Sequence, residues 1–354
     1  MVGYRNKGPA MEKQKFPLIV ASGSSYEMGY QHGAQASELI EKYLLWIERQ
    51  TGKSRDVLCR NAMLFQPLIE SLSTNLMDEV RGLSEGAKIT LEEALLCQAR
   101  GEAAREVSAD GCTAFAVTRS ATADGNALAG QNQDLPPEFG DVGIVLHLKP
   151  SDGRPRVVMF TFAGQLGYAG MNSNGVAHFA NGLYNCPWRP ALPHYPLKRI
   201  ILEQENLTQR VEVLEAHPAC SAGNMVFCSG SGEIADVEIR SDGVSRFFGK
   251  NPDILLHTNH YLTDAFQEYE DNTLADSCPR LDRIGELVEA QLGEITVDTM
   301  KGILADHSGD PAGICRHGEK GMHSVSGYIA EPAKGVLHVR RGHGCLGSWV
   351  EYEV

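Results

Sequence analysis

The chain has 354 residues, 42% of them hydrophobic and 22% charged, which is the composition of an ordinary globular protein and excludes wholesale disorder. Its formal net charge of −13, with no basic patch to offset it, argues against nucleic-acid partners. No apolar run approaches the ~18 residues of a membrane-spanning helix, and nine cysteines in so long a chain do not suggest a disulfide framework.

The N-terminal third has the pattern of helices. Residues 1–15 are polar and basic, and we expect them to form a flexible extension. They carry no recognisable targeting signal, so a cytoplasmic location is expected. Apolar residues between Leu39 and Ile47 recur at helical spacing. Thr90 followed by Glu93 is a capping-box pattern, which predicts a helix over residues 91–105. Little before residue 106 alternates like a strand.

Beyond residue 111 the pattern changes to short β-prone runs. Asp124 and Gly125, between the first two runs, are a strong hairpin signal. A helical block over residues 197–216 and helices over 280–292 and 297–306 interrupt the strands. This grouping predicts an α+β architecture in layers rather than alternating βαβ units. The predicted strands cover residues 113–117, 127–131, 143–148, 157–162, 176–180, 225–228, 234–239, 254–258, 325–329 and 336–340.

Several common functional motifs are absent from the sequence. It has no phosphate loop, no dinucleotide fingerprint, no Cys-x-x-Cys pair and no nucleophile elbow. Its histidines are scattered at generic spacings, so no metal site is predicted from them. The remaining candidate is Asp110–Thr113, where Gly111 and Cys112 lie at the junction of the helical and strand-rich parts. On its own this tetrapeptide would also fit a buried cysteine that begins a strand.

Six short motifs occur in a specific order along the chain. Together they resemble the acyl-coenzyme A:6-aminopenicillanic acid acyltransferase family, also known as isopenicillin N acyltransferases, of the N-terminal-nucleophile hydrolase superfamily. The resemblance covers nearly the whole chain, and the ordered set is specific although each motif alone is weak. The motifs are Ser24–Gly33, Asp110–Thr113, Gly130–Asp134, Gly167–Val176, His257–His260 and Ile314–Arg316.

The resemblance implies a four-layer αββα sandwich and a precursor that cuts itself. Residues 16–354 would form one domain, and cleavage between Gly111 and Cys112 would divide the chain into 1–111 and 112–354, which stay associated. The thiol of Cys112 would be the nucleophile, and its new α-amine, with an unperturbed pKa of roughly 7.7–8.0, would be the base. This mechanism requires no metal or organic cofactor.

Three partners of the thiol carry over by motif. Asn259 resembles the oxyanion-hole residue, whose amide donates to the developing negative oxygen; the same residue would also fit a turn. Asp134 resembles a pocket carboxylate that either orients the amine of Cys112 or holds an amine of the substrate. Arg316 resembles the matching arginine, which would favour the thiolate, pair with Asp134 or bind a substrate carboxylate; a surface arginine would fit the same position.

Two further residues are candidates. Asn181 follows the Gly167–Val176 motif and is a possible substrate-binding residue. The hydroxyl of Thr113 could assist cleavage of the precursor. The implied function is a self-processing cysteine amidohydrolase or acyltransferase that acts on a small N-acyl amide, with acyl-coenzyme A as another donor. The alternatives are a penicillin-type acyltransferase that depends on acyl-coenzyme A, a plain cysteine amidase, and an uncleaved, non-catalytic binding protein of the same fold.

Overall fold

The computed structural model describes residues 15–105, 111–317 and 322–354. Most of the expected extension 1–15 and the connection 106–110, with Asp110, lie outside the described residues. Within them, two β-sheets pack face to face and helices cover both outer faces, which is the predicted αββα sandwich. None of the described helices is long and apolar enough to cross a bilayer.

The strands form one sheet of eight and one of six. In chain order the strands are β1 (Leu18–Gly23), β2 (Gly111–Val117), β3 (Leu128–Leu135), β4 (Gly143–Pro150), β5 (Val157–Phe162), β6 (Ala169–Asn172), β7 (Val176–Gly182), β8 (Gly223–Ser229), β9 (Ile234–Arg240), β10 (Gly243–Phe247), β11 (Ile254–His257), β12 (His323–Glu331), β13 (Val336–Arg341) and β14 (Trp349–Glu353). The eight-stranded sheet has the order β1-β4-β5-β6-β7-β8-β9-β10, and the six-stranded sheet has the order β11-β2-β3-β12-β13-β14.

The helices lie in two outer layers. The first eight helices along the chain pack on the outer side of the eight-stranded sheet, and the last two pack on the outer face of the six-stranded sheet. They are α1 (Ser25–Thr51), α2 (Arg55–Ala62), α3 (Gln66–Leu72), α4 (Thr74–Ala87), α5 (Leu91–Gln98), α6 (Arg100–Ala104), α7 (His194–Leu202), α8 (Leu207–Ala216), α9 (Ser277–Glu289) and α10 (Val297–Ile303).

The motif Ser24–Gly33 has a structural role. Ser24 and Glu27 form a capping box that starts α1. Gly29 and Gly33 let α4 approach closely, since a Cβ at Gly29 would lie 2.0 Å from the carbonyl oxygen of Glu79. The motif therefore fixes the first helix layer and supplies no residue to the candidate site.

One strand precedes residue 106, in the part of the chain whose pattern is mainly helical. Strand β1 pairs in parallel with β4 and forms an edge of the eight-stranded sheet. Its side chains alternate between exposed and buried, but the exposed Leu18 and Val20 are as apolar as the buried Ile19 and Ala21. An edge strand with apolar residues on both faces shows no alternation in its sequence, which is why the pattern did not reveal it.

Small and aromatic side chains fill the space between the sheets. Ala114 and Ala116 of β2 and Ala129 of β3 face the eight-stranded sheet and belong to its core. Phe179 of β7 and Tyr328 of β12 stack across the gap with ring centroids 6.0 Å apart.

Candidate active site

Cys112 lies near the start of β2, directly opposite Gln133 of β3. Side chains alternate along a strand, so the thiol shares the inner face of the sheet with Ala114 and Ala116. The side-chain amide of Gln133 donates a hydrogen bond through Nε2 to Sγ of Cys112 at 3.2 Å. The thiol is only 1% exposed, so it is held in place and largely shielded from water.

The thiol lies at the floor of a cleft between the sheets. The cleft has an empty volume of about 890 Å³, open mouth included. Its walls combine aromatic rings, amide side chains and a few charges. The lining includes Arg100, Glu102, Gln133, Tyr168, Asn181, Gly182, Tyr184, Trp188, His194, Tyr195, Lys198 and Asn224. Such a mixture suits a small molecule with an apolar part and a few polar groups.

Asn259 contacts the backbone of the nucleophile. Its Oδ1 accepts a hydrogen bond from the peptide N–H of Cys112 at 2.9 Å. Its Nδ2 donates to the carbonyl oxygen of Gly182 at 3.1 Å, and its own N–H donates to Oγ of Ser277 at 2.7 Å. The structure thus brings Asn259 to Cys112, where its Oδ1 holds the nitrogen atom that the expected cleavage would free as an amine.

Asp134 and Arg316 lie together, but on the other face of the six-stranded sheet. Asp134 is within β3, opposite Gly111, and its Oδ2 lies 3.5 Å from Nε of Arg316. Oγ of Ser324 donates to its Oδ1 at 2.6 Å. Burial raises the pKa of Asp134, while Arg316 and Arg280 oppose that shift.

Both of these side chains adjoin the predicted cleavage point. A Cβ at Gly111 would lie 3.1 Å from Cβ of Asp134 and 3.3 Å from Nη1 of Arg316. Neither residue lines the cleft that contains the thiol. The described structure therefore places the pair against Gly111 and apart from the space available to a substrate.

Sequence reasoning missed Arg280, which links the parts of the site. It is fully buried near the start of α9. Its Nη1 donates to the carbonyl oxygen of Cys112 at 2.5 Å and to Oγ1 of Thr113 at 2.9 Å. Its Nη2 donates to Oδ1 of Asn259 at 2.8 Å and to Oδ1 of Asp276 at 2.9 Å.

Asp276 also contacts Nη2 of Arg316, so one carboxylate joins the two arginines. The hydroxyl of Thr113, expected to assist cleavage, is occupied as an acceptor for Arg280. A signal for Arg280 was present in the sequence, since Asp276 and Arg280 are four residues apart at the start of a predicted helix. The sequence pattern could not reveal that this helix end points at Cys112.

Asn181, a predicted substrate-binding residue, lies in β7 and lines the cleft. Its Nδ2 donates to the carbonyl oxygen of His257 at 3.3 Å, and its N–H donates to Oδ1 of Asn224 at 2.9 Å. Its Oδ1 is buried and has no hydrogen-bond partner in the described part of the chain. A buried acceptor without a partner is a suitable contact for a donor group on a ligand.

His257 supports the loop that carries Asn259. Its Nε2 lies 3.1 Å from Oε1 of Glu238, and its Nδ1 lies 3.0 Å from the carbonyl oxygen of Thr258. Burial alone would lower the pKa of His257, but Asp236 and Glu238 raise it to about 9. The imidazole is therefore a buried cation at neutral pH, and it fixes the backbone next to Asn259.

The sequence of this chain is similar to a known enzyme family and to a relative with a described activity. Residues 104–339 match the family described as acyl-coenzyme A:6-aminopenicillanic acid acyl-transferase. The 40 kDa form of acyl-coenzyme A:6-aminopenicillanic-acid-acyltransferase from Emericella nidulans is 26% identical over 311 residues, which are 86% of this chain and 85% of that protein. The residues that match the family, 104–339, include Cys112, Asp134, Asn259 and Arg316.

Solved structures also resemble the fold. A variant of conjugated bile acid hydrolase from Clostridium perfringens has a TM-score of 0.49 at 14% identity and covers 69% of this chain and 97% of its own. Penicillin V acylase from Agrobacterium tumefaciens has a TM-score of 0.49 at 11% identity and covers 69% of this chain and 86% of its own. The substrates in these two names are stated for those enzymes and not for this chain.

Proposed function

Because the chain belongs to the acyl-coenzyme A:6-aminopenicillanic acid acyl-transferase family, we propose that it is a self-processing amidohydrolase and acyltransferase whose nucleophile is the thiol of Cys112. One observation carries the proposal. The thiol lies at the floor of the cleft, while the peptide nitrogen of the same residue is held by Asn259. Nucleophile and future base thus belong to one residue.

The first reaction is cleavage of the chain between Gly111 and Cys112. Sulfur of Cys112 bonds to the carbonyl carbon of Gly111, the C–N bond breaks, and the nitrogen takes a proton to become the α-amine. Water then hydrolyses the thioester, which leaves a carboxylate on Gly111 and restores the thiol. The pieces 1–111 and 112–354 stay together because β2 remains paired between β11 and β3, and helices α1–α6 remain packed on the core.

Cleavage supplies the base for the second reaction. The α-amine of Cys112 has an unperturbed pKa of roughly 7.7–8.0, so a substantial fraction is neutral near pH 7–8 and takes the thiol proton. Asn259 orients this amine through Oδ1, and Gln133 donates to the sulfur. Sulfur then attacks the acyl carbonyl of the substrate, the amine leaves with a proton, and water or another amine resolves the thioester.

The amide groups beside the thiol would stabilise the negative oxygen that forms in this attack. Nδ2 of Asn259 donates to the carbonyl oxygen of Gly182, and Gly182 lines the cleft. In the proposal this amide, which adjoins the cleft through its contact with Gly182, donates to the negative oxygen of the tetrahedral intermediate. A positioned donor of this kind contributes about 10²–10³-fold to turnover.

The lining of the cleft favours a substrate with an apolar acyl part. Tyr168, Tyr195 and Trp188 present rings to the cleft, and Lys198 lies 4.8 Å from the ring centre of Tyr168. The rings suit an aliphatic or aromatic acyl group. The charge of Lys198 suits a carboxylate on the amine portion. We therefore propose a small N-acyl amino acid or related amide as the substrate, with an acyl thioester as an alternative donor.

Trapping the acyl-enzyme tests this assignment. Matured protein is mixed with a panel of N-acyl amides and acyl-coenzyme A donors, quenched in acid and examined by peptide mass spectrometry. The acyl mass is expected on the peptide that begins at Cys112. Cys278, which is exposed on α9, serves as the internal control for non-specific acylation. Turnover with acyl mass on Cys278 and none on Cys112 would refute the assignment of the nucleophile.

A further inference from the structure

Four metal-binding side chains converge beyond the open end of β3, outside the cleft. They are His307 after α10, Cys315 and His317 on either side of Arg316, and Cys345 in the connection from β13 to β14. Their ligand atoms all lie within 4.8 Å of one another. Three separate segments of chain therefore meet at two thiols and two imidazoles. Nothing in the proposed acyl transfer uses this group.

The distances are close to those of a tetrahedral metal site. Nε2 of His307 lies 2.6 Å from Nε2 of His317, and Sγ of Cys345 lies 3.5 Å from the same nitrogen. Zinc bonds of about 2.3 Å to sulfur and about 2.0 Å to nitrogen place ligand atoms about 3.3–3.8 Å apart. The observed separations, from 2.6 Å to at most 4.8 Å, differ from this range by about 1 Å or less.

The surroundings of Cys315 favour a metal-bound thiolate. The backbone N–H groups of Cys345 and Gly344 donate hydrogen bonds to the sulfur of Cys315, and the guanidinium of Arg340 lies near it. Hydrogen bonds from backbone N–H groups to sulfur are the outer contacts that hold thiolate ligands in metal sites.

We propose that His307, Cys315, His317 and Cys345 form a structural zinc site. The ligand set of two thiolates and two imidazoles is that of closed zinc sites, in which the protein supplies all four positions. Binding of Zn²⁺ forms two Zn–S and two Zn–N bonds and releases the protons of the two thiols, with no change in oxidation state. The sequence did not suggest the site, because its ligands come from three segments and match no zinc motif.

The site would fix the position of Arg316. The two residues that flank Arg316 are both proposed ligands. Two contacts already hold its backbone: its N–H donates to Oγ of Ser324 at 2.9 Å, and its carbonyl oxygen lies 3.0 Å from Nδ1 of His343. A metal ion would add two strong bonds to this segment. It would therefore stiffen the residue that lies against Gly111.

Metal analysis of protein made without a histidine tag in zinc-supplemented medium tests the proposal. Wild-type protein is expected to retain about one zinc per chain after dialysis. Cys345→Ala and Cys315→Ala are expected to lose most of it. Cys278→Ala and His217→Ala remove a cysteine and a histidine outside the cluster, and both variants should keep the metal.

Replacement by cobalt gives a second readout that does not depend on activity. A tetrahedral Co²⁺ site with two thiolates shows strong visible absorption and a thiolate-to-cobalt band, and the band should weaken in Cys345→Ala. Cys345 is exposed, so this variant is expected to fold even if Cys315→Ala does not. Cys112→Ala should bind zinc like wild type, which separates this test from that of self-cleavage.

Two outcomes would overturn the site. One is wild-type protein without stoichiometric zinc and without a thiolate band in cobalt. The other is a disulfide between Cys315 and Cys345 in freshly purified protein, seen as resistance of both thiols to alkylation until reduction.

Discussion

The thiol of Cys112 and the carboxylate of Asp134 lie on opposite faces of the six-stranded sheet. Cys112 pairs with Gln133 and faces the cleft, whereas Asp134 pairs with Gly111 and faces the outer layer. The two faces of one strand pair thus serve two different parts of the proposed chemistry. The inner face holds the nucleophile and the substrate space, and the outer face holds the residues that contact the cleavage point.

We expect Asp134→Asn to slow self-cleavage by roughly 10- to 100-fold, because it removes the charge that pairs with Arg316 beside Gly111. The fraction of uncut chain is followed by gel and mass spectrometry after synthesis. Asp124→Asn changes an exposed carboxylate in the β2–β3 connection and should cleave normally. Equal cleavage rates for both variants would contradict a role for Asp134 in processing.

Gln133→Leu is expected to lower turnover while leaving the fold intact. The variant keeps the size of the side chain but loses the donor at 3.2 Å from the sulfur. A hydrogen bond to a charged group contributes about 1.5–3 kcal/mol, so a loss of about 10- to 100-fold in kcat/KM is expected. Matured protein is assayed at equal concentrations, with the surface variant Gln291→Leu as the control. Unchanged turnover would mean that Gln133 only packs against the thiol.

Asn259→Ala should lower acyl transfer by roughly 10²–10³-fold, as for the loss of one oxyanion donor. It should also destabilise the chain by about 1–3 kcal/mol, because the buried N–H of Cys112 and the guanidinium of Arg280 lose their shared acceptor. Urea unfolding measures the second effect, and steady-state kinetics of any matured protein measure the first. Near-wild-type turnover would contradict the proposed oxyanion role.

The pair of His257 and Glu238 should make stability depend on pH. The pKa of His257 is raised to about 9 in the folded protein from an ordinary value of 6.5, so its contribution is fully present below pH 6.5 and is lost as the pH rises through 9. A shift of this size corresponds to about 3 kcal/mol. Urea unfolding at intervals from pH 6 to 10 measures it.

The variant His257→Gln is the matched control for that series. It has no group that titrates at this position, so its stability should fall less steeply between pH 6.5 and 9 than that of wild type. Parallel curves for the two proteins would show that the decline has another source.

The sequence predicted which residues belong to the site better than it predicted which face of the sheet each side chain occupies. The order of the motifs pointed to Cys112, Asn259, Asp134 and Arg316. The strands that carry Cys112 and Asp134, and the strand that ends just before Asn259, were recognised from their β-prone runs. Which face each side chain occupies depends on strand register. Register places Gln133, not Asp134, beside the thiol. Neighbours in sequence point in opposite directions on a strand, and motif matching does not record direction.

Local sequence patterns could not identify Arg280 or the proposed zinc ligands, for a related reason. Arg280 meets Cys112 across 168 positions of sequence, and His307 meets Cys345 only after three segments have folded together. Strand β1 was hidden because both of its faces are apolar. Each of these features depends on contacts between residues far apart in the sequence, and a helical or strand-like period gives no information about such contacts.

Mass spectrometry of the purified chain tests the central claim most directly. We predict that wild-type protein, of 38.6 kDa, splits into residues 1–111 and 112–354, that the second piece begins with Cys112, and that the two pieces co-purify. Cys112→Ala should stay whole, while Cys278→Ala should split like wild type. A wild-type chain that remains uncut after long incubation, or a Cys112→Ala chain that still splits at Gly111, would contradict the account.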